Sequence, residues 1–408
     1  MTPNELRLAA RPLPFLNAHR QDAGAVVELR ARPSRRLLVW HPETIDWIFR
    51  SDRQLRHVSS HTLAPLLGNR SLLWADGERH LWYRRVLGRP LRGTQLAGYR
   101  DAITAVVTEA VDALAPGTTF ALPDWTRQLT LRVIGRIVFG HTDDAVLTAF
   151  RTWIDRALAS RARTLGYRYL LGGLPRSGPE LDRMLVCAAR DRTEPGLADA
   201  LLADDPPGGR LSDDELRDQL VSLLFAGHET TASATAWTLY WLHREEALRH
   251  DVIAELAATP DDGTDATAFP LLQATIHEVL RIAPPAPMAG NRVLTTDTEL
   301  RGQWLPAGTV LMPSIYLAHR QPDLFGRPDR FDPRRFVDTH FPNRRYLPFG
   351  GGSRYCLGSE LAMLEIRMIT ATLLRRRRLR CVNPDAARPE FRGPALAPSS
   401  QVTMAVMA

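Results

Sequence analysis

Lysine is absent from this 408-residue chain, so all 52 of its basic Lys-or-Arg positions are arginine. These arginines are interspersed with 45 acidic residues, leaving a net charge of +7. The 52 are spread along the chain rather than gathered in one basic tail, which argues against a nucleic-acid-binding protein that would neutralise phosphates with clustered cations. Cysteine is nearly absent too. Cys187, Cys356 and Cys381 are too few and too scattered for a disulfide scaffold, so each is a free thiol or a ligand. Long apolar runs are also missing. The first twenty residues carry Arg and Pro where a signal peptide or membrane anchor needs an unbroken apolar stretch, which predicts a cytoplasmic protein without membrane association. Hydrophobic residues nonetheless make up 44% of the chain and charged residues 24%, a balance typical of globular proteins with a sizeable core.

The residues that are present are patterned mainly as helix. Ala25–Arg30 and Arg36–Trp40 alternate around a Pro33-Ser34 turn and predict one small antiparallel hairpin. Tyr99, Ile103, Val106, Val107, Ala110, Val111 and Leu114 recur at helix spacing and stop at Pro116-Gly117. Residues 163–180 mix Gly, Pro and Ser with apolar residues, which predicts a mobile connection between two helices and a candidate lid. Ser212 and Glu215 have the spacing of a capping box. The helix they start meets no proline until beyond Arg244, so at 1.5 Å per residue it should run roughly 48 Å and be largely buried. Beyond Pro284-Pro285 come short strands such as Gly308–Met312, then a last strong helix from Gly358 to about Arg375. No repeat or interdomain linker is apparent, and one domain over residues 1–408 is expected.

The segment Phe349-Gly-Gly-Gly-Ser-Arg-Tyr-Cys-Leu-Gly358 presents one cysteine in a glycine-flanked turn ahead of that last helix. The free N–H groups and positive dipole end of a helix N-terminus favour a thiolate and should lower the thiol pKa. Three glycines would let the backbone pass close under a flat cofactor, amides of Leu357, Gly358 and Ser359 could donate to the sulfur, and Phe349 would shield it from water. A lone cysteine beside a turn is usually inert, but here the whole string resembles the haem-binding signature Phe-x-x-Gly-x-Arg-x-Cys-x-Gly of the cytochrome P-450 family, with Ala362 and Glu365 also at the family's spacing. The resemblance runs from about residue 25 to about residue 382. It makes Cys356 the proximal ligand of a haem b (iron protoporphyrin IX) and leaves Cys187 and Cys381 as ordinary thiols.

A second string, Ala226-Gly-His-Glu-Thr-Thr231, falls in the middle of the long helix and resembles the family's Ala-Gly-x-Glu-Thr-Thr. Gly227 removes bulk where a flat ring and dioxygen must come close. The Thr230 hydroxyl can bond back to the Ala226 carbonyl and open the helix locally. The acid–alcohol pair Glu229 and Thr230 is the candidate catalytic relay for the two protons that O–O cleavage consumes, while His228 should point away from the haem.

Glu278 and Arg281 stand i, i+3 on one helix face, ahead of Pro284-Pro285. With Pro328-Asp-Arg-Phe331 they resemble the family's Glu-x-x-Arg and Pro-Glu-Arg-Phe elements, which implies a buried ion network locking the cysteine loop, with Arg330 as the partner and Asp329 a departure of one methylene. By the same resemblance the haem propionates would be held by His80 and Arg84, four apart on one helix face, with Arg292 and Arg354, since the guanidinium fork suits a carboxylate. Leu72-Leu73, residues 163–180, Met288-Ala289 and Val402-Thr403 would wall the substrate pocket.

The fold implied is mainly α with a minor β region, the cytochrome P-450 fold, with haem between the long distal helix and the cysteine loop. The activity implied is insertion of one oxygen atom from O₂ into a lipophilic substrate, by hydroxylation or epoxidation, in bacterial secondary metabolism. No flavin or iron–sulfur segment is visible, so electrons are expected from a separate ferredoxin and ferredoxin reductase, docked by Arg344 and Arg345, to a monomeric enzyme. Two rivals remain open at this point: a peroxide-driven haem-thiolate enzyme, which would not need the relay, and a haem sensor or carrier without turnover.

Overall fold

The computed structural model describes every residue except 1, 23, 59, 61, 159, 192, 193, 260, 262, 340, 343 and 344. Nine helices position the site: α1 (Pro3–Ala10), α2 (Gly77–Gly88), α3 (Arg100–Asp112), α4 (Leu122–Phe139), α5 (Arg161–Leu170), α6 (Pro179–Arg190), α7 (Asp213–Arg244), α8 (Pro270–Ile282) and α9 (Ser359–Arg376). Seven strands matter here: β1 (Val26–Arg30), β2 (Arg36–Val39), β3 (Arg56–His57), β4 (Arg292–Val293), β5 (Val310–Pro313), β6 (Pro389–Arg392) and β7 (Ala395–Pro398). The architecture is mainly α with a minor β region, as expected.

The long helix α7 starts where the sequence places it. Ser212 is its N-cap and accepts from the Glu215 amide at 3.3 Å. The other half of the capping box is missing, because the Glu215 carboxylate turns instead to Arg79 at 2.6 and 2.7 Å and to the Tyr83 hydroxyl at 2.5 Å. An ion pair with α2 thus displaces a local cap. α7 packs chiefly on α4, and its apolar residues join those of α3 and α9 in the largest buried cluster, for example Val107, Val138, Leu224 and Ile369. Burying such side chains is worth about 1.5–3 kcal/mol each, which holds α7 through the middle of the molecule.

β1 and β2 form the expected hairpin, with Val26 opposite Val39. It continues into a five-stranded sheet in the order β1-β2-β5-β4-β3, where β2 and β5 are parallel and the other pairs antiparallel. This sheet sets Arg292 between Leu311 and His57. The segment 163–180 is more ordered than its composition suggested: α5 covers its first half, capped by Ser160, and only 171–178 is irregular before α6. Among the described residues, no helix is long and apolar enough to cross a membrane.

Candidate active site

Most side chains of α7 are buried, but Ala226 is exposed and Gly227 and Thr230 are half-exposed. These three, with Thr231 and Ala234, line one wall of a cavity of about 740 Å³. The Thr230 hydroxyl donates to the Ala226 carbonyl at 2.7 Å, yet α7 is continuous through this turn. The helix therefore does not open as expected, since one carbonyl oxygen has lone pairs for both the backbone amide and the hydroxyl. Gly227 is required by packing as well as by the cavity: a Cβ there would lie 2.6 Å from the Ile134 side chain of α4.

The segment Pro348–Gly358, lacking only Gly352 and Ser353, lines the same cavity. The Cys356 amide donates to the Phe349 carbonyl at 2.9 Å and closes the loop. Gly352 adopts φ +68°, and a Cβ on it would sit 2.8 Å from the Asp52 carboxylate, so glycine is dictated from behind the loop. Cys356 is the one cysteine lining the cavity. Gly358, the N-cap of α9, donates its amide to the sulfur, and Arg84 and Arg92 add positive potential. The thiol pKa nevertheless lies above its ordinary value, because burial outweighs these three influences. Placement at a helix N-terminus alone does not make this thiol a thiolate; a bound metal ion does so outright.

His80, Arg84, Arg292 and Arg354 all line the same cavity. His80 is buried and its pKa is pushed down to about 4 by burial and by the neighbouring Arg354 and Arg84 charges, so it is neutral near pH 7. Arg84 donates to the Tyr355 carbonyl at 2.7 Å. Arg292 pairs with Asp52 at 2.6 Å, and Arg354 with Asp76 at 2.5 Å. Sequence reasoning missed the residue joining these pairs: His57 lies 3.2 Å from Asp52 and 2.9 Å from Asp76. Burial works against the charge on Asp52, but hydrogen bonding to His57 and the Arg292 guanidinium hold its carboxyl well below the usual range.

Glu229 and Thr230 part company. Glu229 does not line the cavity; its Oε1 accepts from Arg392 Nε of β6 at 3.2 Å, and Arg392 also holds Asp155. His228 is fully buried away from the cavity, 3.8 Å from Glu229, with both ring nitrogens unpartnered. That agrees with its expected direction.

The ion network under the loop is present but differs in membership. Glu278 and Arg281 form a two-pronged pair at 2.6 and 2.8 Å, both fully buried, and Arg281 also donates to the carbonyls of His319, Pro328 and Arg330. The second cation on Glu278 is Arg335 at 3.1 Å, not Arg330, which is exposed and contributes only its carbonyl. Asp329 is likewise at the surface, paired with Arg20 at 2.8 Å. The signal was legible: Pro333-Arg-Arg-Phe336 has the Pro-x-Arg-Phe spacing five residues downstream, and the Asp332 amide beside it donates to Glu278 at 2.8 Å.

Leu72, Leu73, Met288 and Ala289 wall the cavity as expected, together with α5 residues and Leu174. Val402 does not; it is buried in the main core beside the 403–406 strand, and Phe391, Gly393 and Pro394 of the β6–β7 turn take that place. A flat dianionic macrocycle with a central metal fits this arrangement. One thiol and one small-residue helix wall line the same largely apolar space with the neutral imidazole of His80 and the guanidiniums of Arg84, Arg292 and Arg354, and Arg354 Nε is buried without a partner.

Comparison with known proteins gives the same family throughout. A family model described as Cytochrome P450 matches residues 183–404. Cytochrome P450 135B1 of Mycobacterium tuberculosis is 33% identical over 95% of this chain and 85% of its own length. The cyclooctat-9-en-7-ol 5-monooxygenase of Streptomyces melanosporofaciens is 32% identical over 92% of this chain and 87% of its own. Among solved structures, the retinoic-acid-bound cyanobacterial CYP120A1 superposes with a TM-score of 0.83 at 24% identity, covering 96% of this chain and 93% of that one; the likeness shows the fold.

Proposed function

The chain belongs to the cytochrome P450 family and is a haem-dependent monooxygenase, and from that premise we propose that Cys356 ligates the iron and that the substrate is a lipophilic small molecule of bacterial secondary metabolism. When bound, haem supplies reductive activation of O₂, one atom entering the substrate and the other leaving as water. The observation carrying the assignment is that Cys356 is the one cysteine in the cavity that Ala226 and Thr230 also line.

The protein groups then divide the work. The Gly358 amide and the Arg84 and Arg92 charges steady negative charge on the Cys356 sulfur. His80, Arg84, Arg292 and Arg354 hold the propionates, with Arg354 Nε gaining the partner it lacks. Phe349 and Leu357 keep water from the sulfur side, and Ala226 leaves room on the other. Thr230 Oγ1 lines the cavity with its proton on the Ala226 carbonyl and would turn to pass that proton on, and Glu229, once free of Arg392 and protonated from solvent, would replace it. Support for the substrate class comes from the apolar walls and from two relatives, one named for cyclooctat-9-en-7-ol and one bound to retinoic acid. All 408 residues are read as one haem-binding domain. A ferredoxin would dock under the cysteine loop, where Arg92 and Arg345 are exposed; Arg344 lies outside the described residues.

The reduced protein under carbon monoxide should show the long-wavelength absorption band of thiolate ligation, and Cys356→Ser should abolish it. Persistence of that band in the serine variant would remove Cys356 from the iron and overturn the assignment.

A further inference from the structure

One end of the cavity lies far along the chain from the cysteine loop, between α1, the β1–β2 hairpin and α5. Its lining reaches the surface at Arg168 of α5, which is exposed. Three guanidiniums line this end, those of Arg36, Arg161 and Arg168, against a single carboxylate, Glu5. Elsewhere on the cavity wall, Arg292 and Arg354 each have an aspartate. Here the arithmetic fails: Glu5 is shared between Arg36 at 3.4 Å and Arg30 at 3.6 Å. Among the described residues, Arg161 and Arg168 have no ion pair. Arg161 donates to the carbonyls of Ala9 and Ala10 and lies over the Phe391 ring, and Arg168 lies over the Tyr169 ring.

Arg36 is the most telling of the three. Its Nη1 faces Glu5, while its Nε is buried without any hydrogen-bond partner. Burial lowers its pKa, and the nearby Arg30 and Arg168 charges add to the effect. Gathering like charges around a half-buried, unsatisfied donor costs stability unless an anion completes the site. The free Nε edge of a guanidinium is one of the edges that a planar carboxylate grips side-on. The same cavity that Thr230 lines is walled by Leu29, Leu63, Leu165, Met288 and Met312.

We propose that Arg36, supported by Arg161 and Arg168, anchors a carboxylate on the substrate, which is therefore an amphiphile whose acid group stays at the cavity mouth while its apolar body extends toward Thr230. This deepens the monooxygenase reading and rests on it. Oxidation would fall on the part of the molecule remote from the acid. Glu5 weakens binding by repelling the anion and holds Arg36 in place between substrates.

The test is a spectral titration of the ferric holoenzyme with dodecanoic, tetradecanoic and hexadecanoic acids, their methyl esters, and dodecyl phosphate. At least one acid should bind roughly tenfold or more tightly than its ester, the value of one charge-assisted pair. Arg36→Leu should bring that ratio close to one. Glu5→Gln should tighten the acid severalfold without changing the ester; glutamine preserves the acceptor that Glu5 offers to the Thr2 amide at the start of α1, and simple loss of stability would not produce this gain. Equal affinity for acid and ester, no response to any acid, or a ratio untouched by both variants would overturn the proposal. Tighter binding of the phosphate than of every acid would also overturn it in favour of a phosphate ligand. If the carbon monoxide spectrum of the same sample keeps the thiolate band, only the carboxylate site has failed; if that band is missing, the monooxygenase assignment of Cys356 has failed first.

Discussion

At the scale of the residue, neighbours in sequence can serve different surfaces. Thr230 faces the cavity and Glu229 faces Arg392, although one peptide bond separates them, because successive helix positions point about 100° apart. Sequence spacing identified both as a relay, but it could not show that a residue far along the chain, Arg392, holds the acid away from the alcohol. The two should therefore fail differently. Thr230→Ala removes the proton-bearing oxygen from the cavity, so product formed per O₂ consumed should fall by about tenfold or more while reduction of the iron continues. Arg392→Gln frees Glu229 and should leave the yield of product per O₂ high while shifting the pH dependence of turnover. Unchanged coupling in Thr230→Ala, measured as product against oxygen uptake, would show that the hydroxyl is not in the proton path.

At the scale of the element, the sequence was most legible where one helix carries its own signals. The start of α7 at Ser212, the hairpin and the helix after Gly358 follow from caps, alternation and turn residues. What could not be read were pairings between elements: Glu215 abandoning its cap for Arg79, His57 bridging Asp52 and Asp76, and Arg335 reaching Glu278. Each depends on which segments meet in space, and no local periodicity records that. The cysteine loop shows the same limit from another side, because its motif was plain while the burial that raises the thiol pKa came from the surrounding fold. The ion network gives a direct test of these assignments. Glu278→Ala strands the buried Arg281 and should cost about 3–5 kcal/mol, with loss of haem. Arg330→Ala should change stability by less than about 0.5 kcal/mol, as at other exposed positions. Chemical denaturation of both variants decides between them; a severe loss in the Arg330 variant would restore the pairing expected from sequence.

At the scale of the whole molecule, the arginines contribute no pH dependence, since guanidinium does not titrate in a protein. The pH sensitivity of the fold is left to the imidazoles and carboxylates. Burial, with the Arg281 and Arg320 charges, pushes the pKa of His319 down to about 3, and burial pushes that of His243 down to about 4. Both are neutral in the folded protein, and His319 Nε2 must stay deprotonated to accept from the Leu347 amide at 2.9 Å. The unfolded chain takes up protons near pH 6.5 and the folded one does not, so stability is lost as pH falls below about 6.5 until the folded value is reached. For fully buried His319 the linkage amounts to about 2 kcal/mol by about pH 5. The thermal midpoint of the holoenzyme should therefore drop between about pH 7 and pH 5, and His319→Gln, which keeps an acceptor for Leu347 but has no imidazole to protonate, should flatten that drop. A variant with the same pH slope as the parent would move the acid sensitivity from His319 to other groups, His243 and His80 among them.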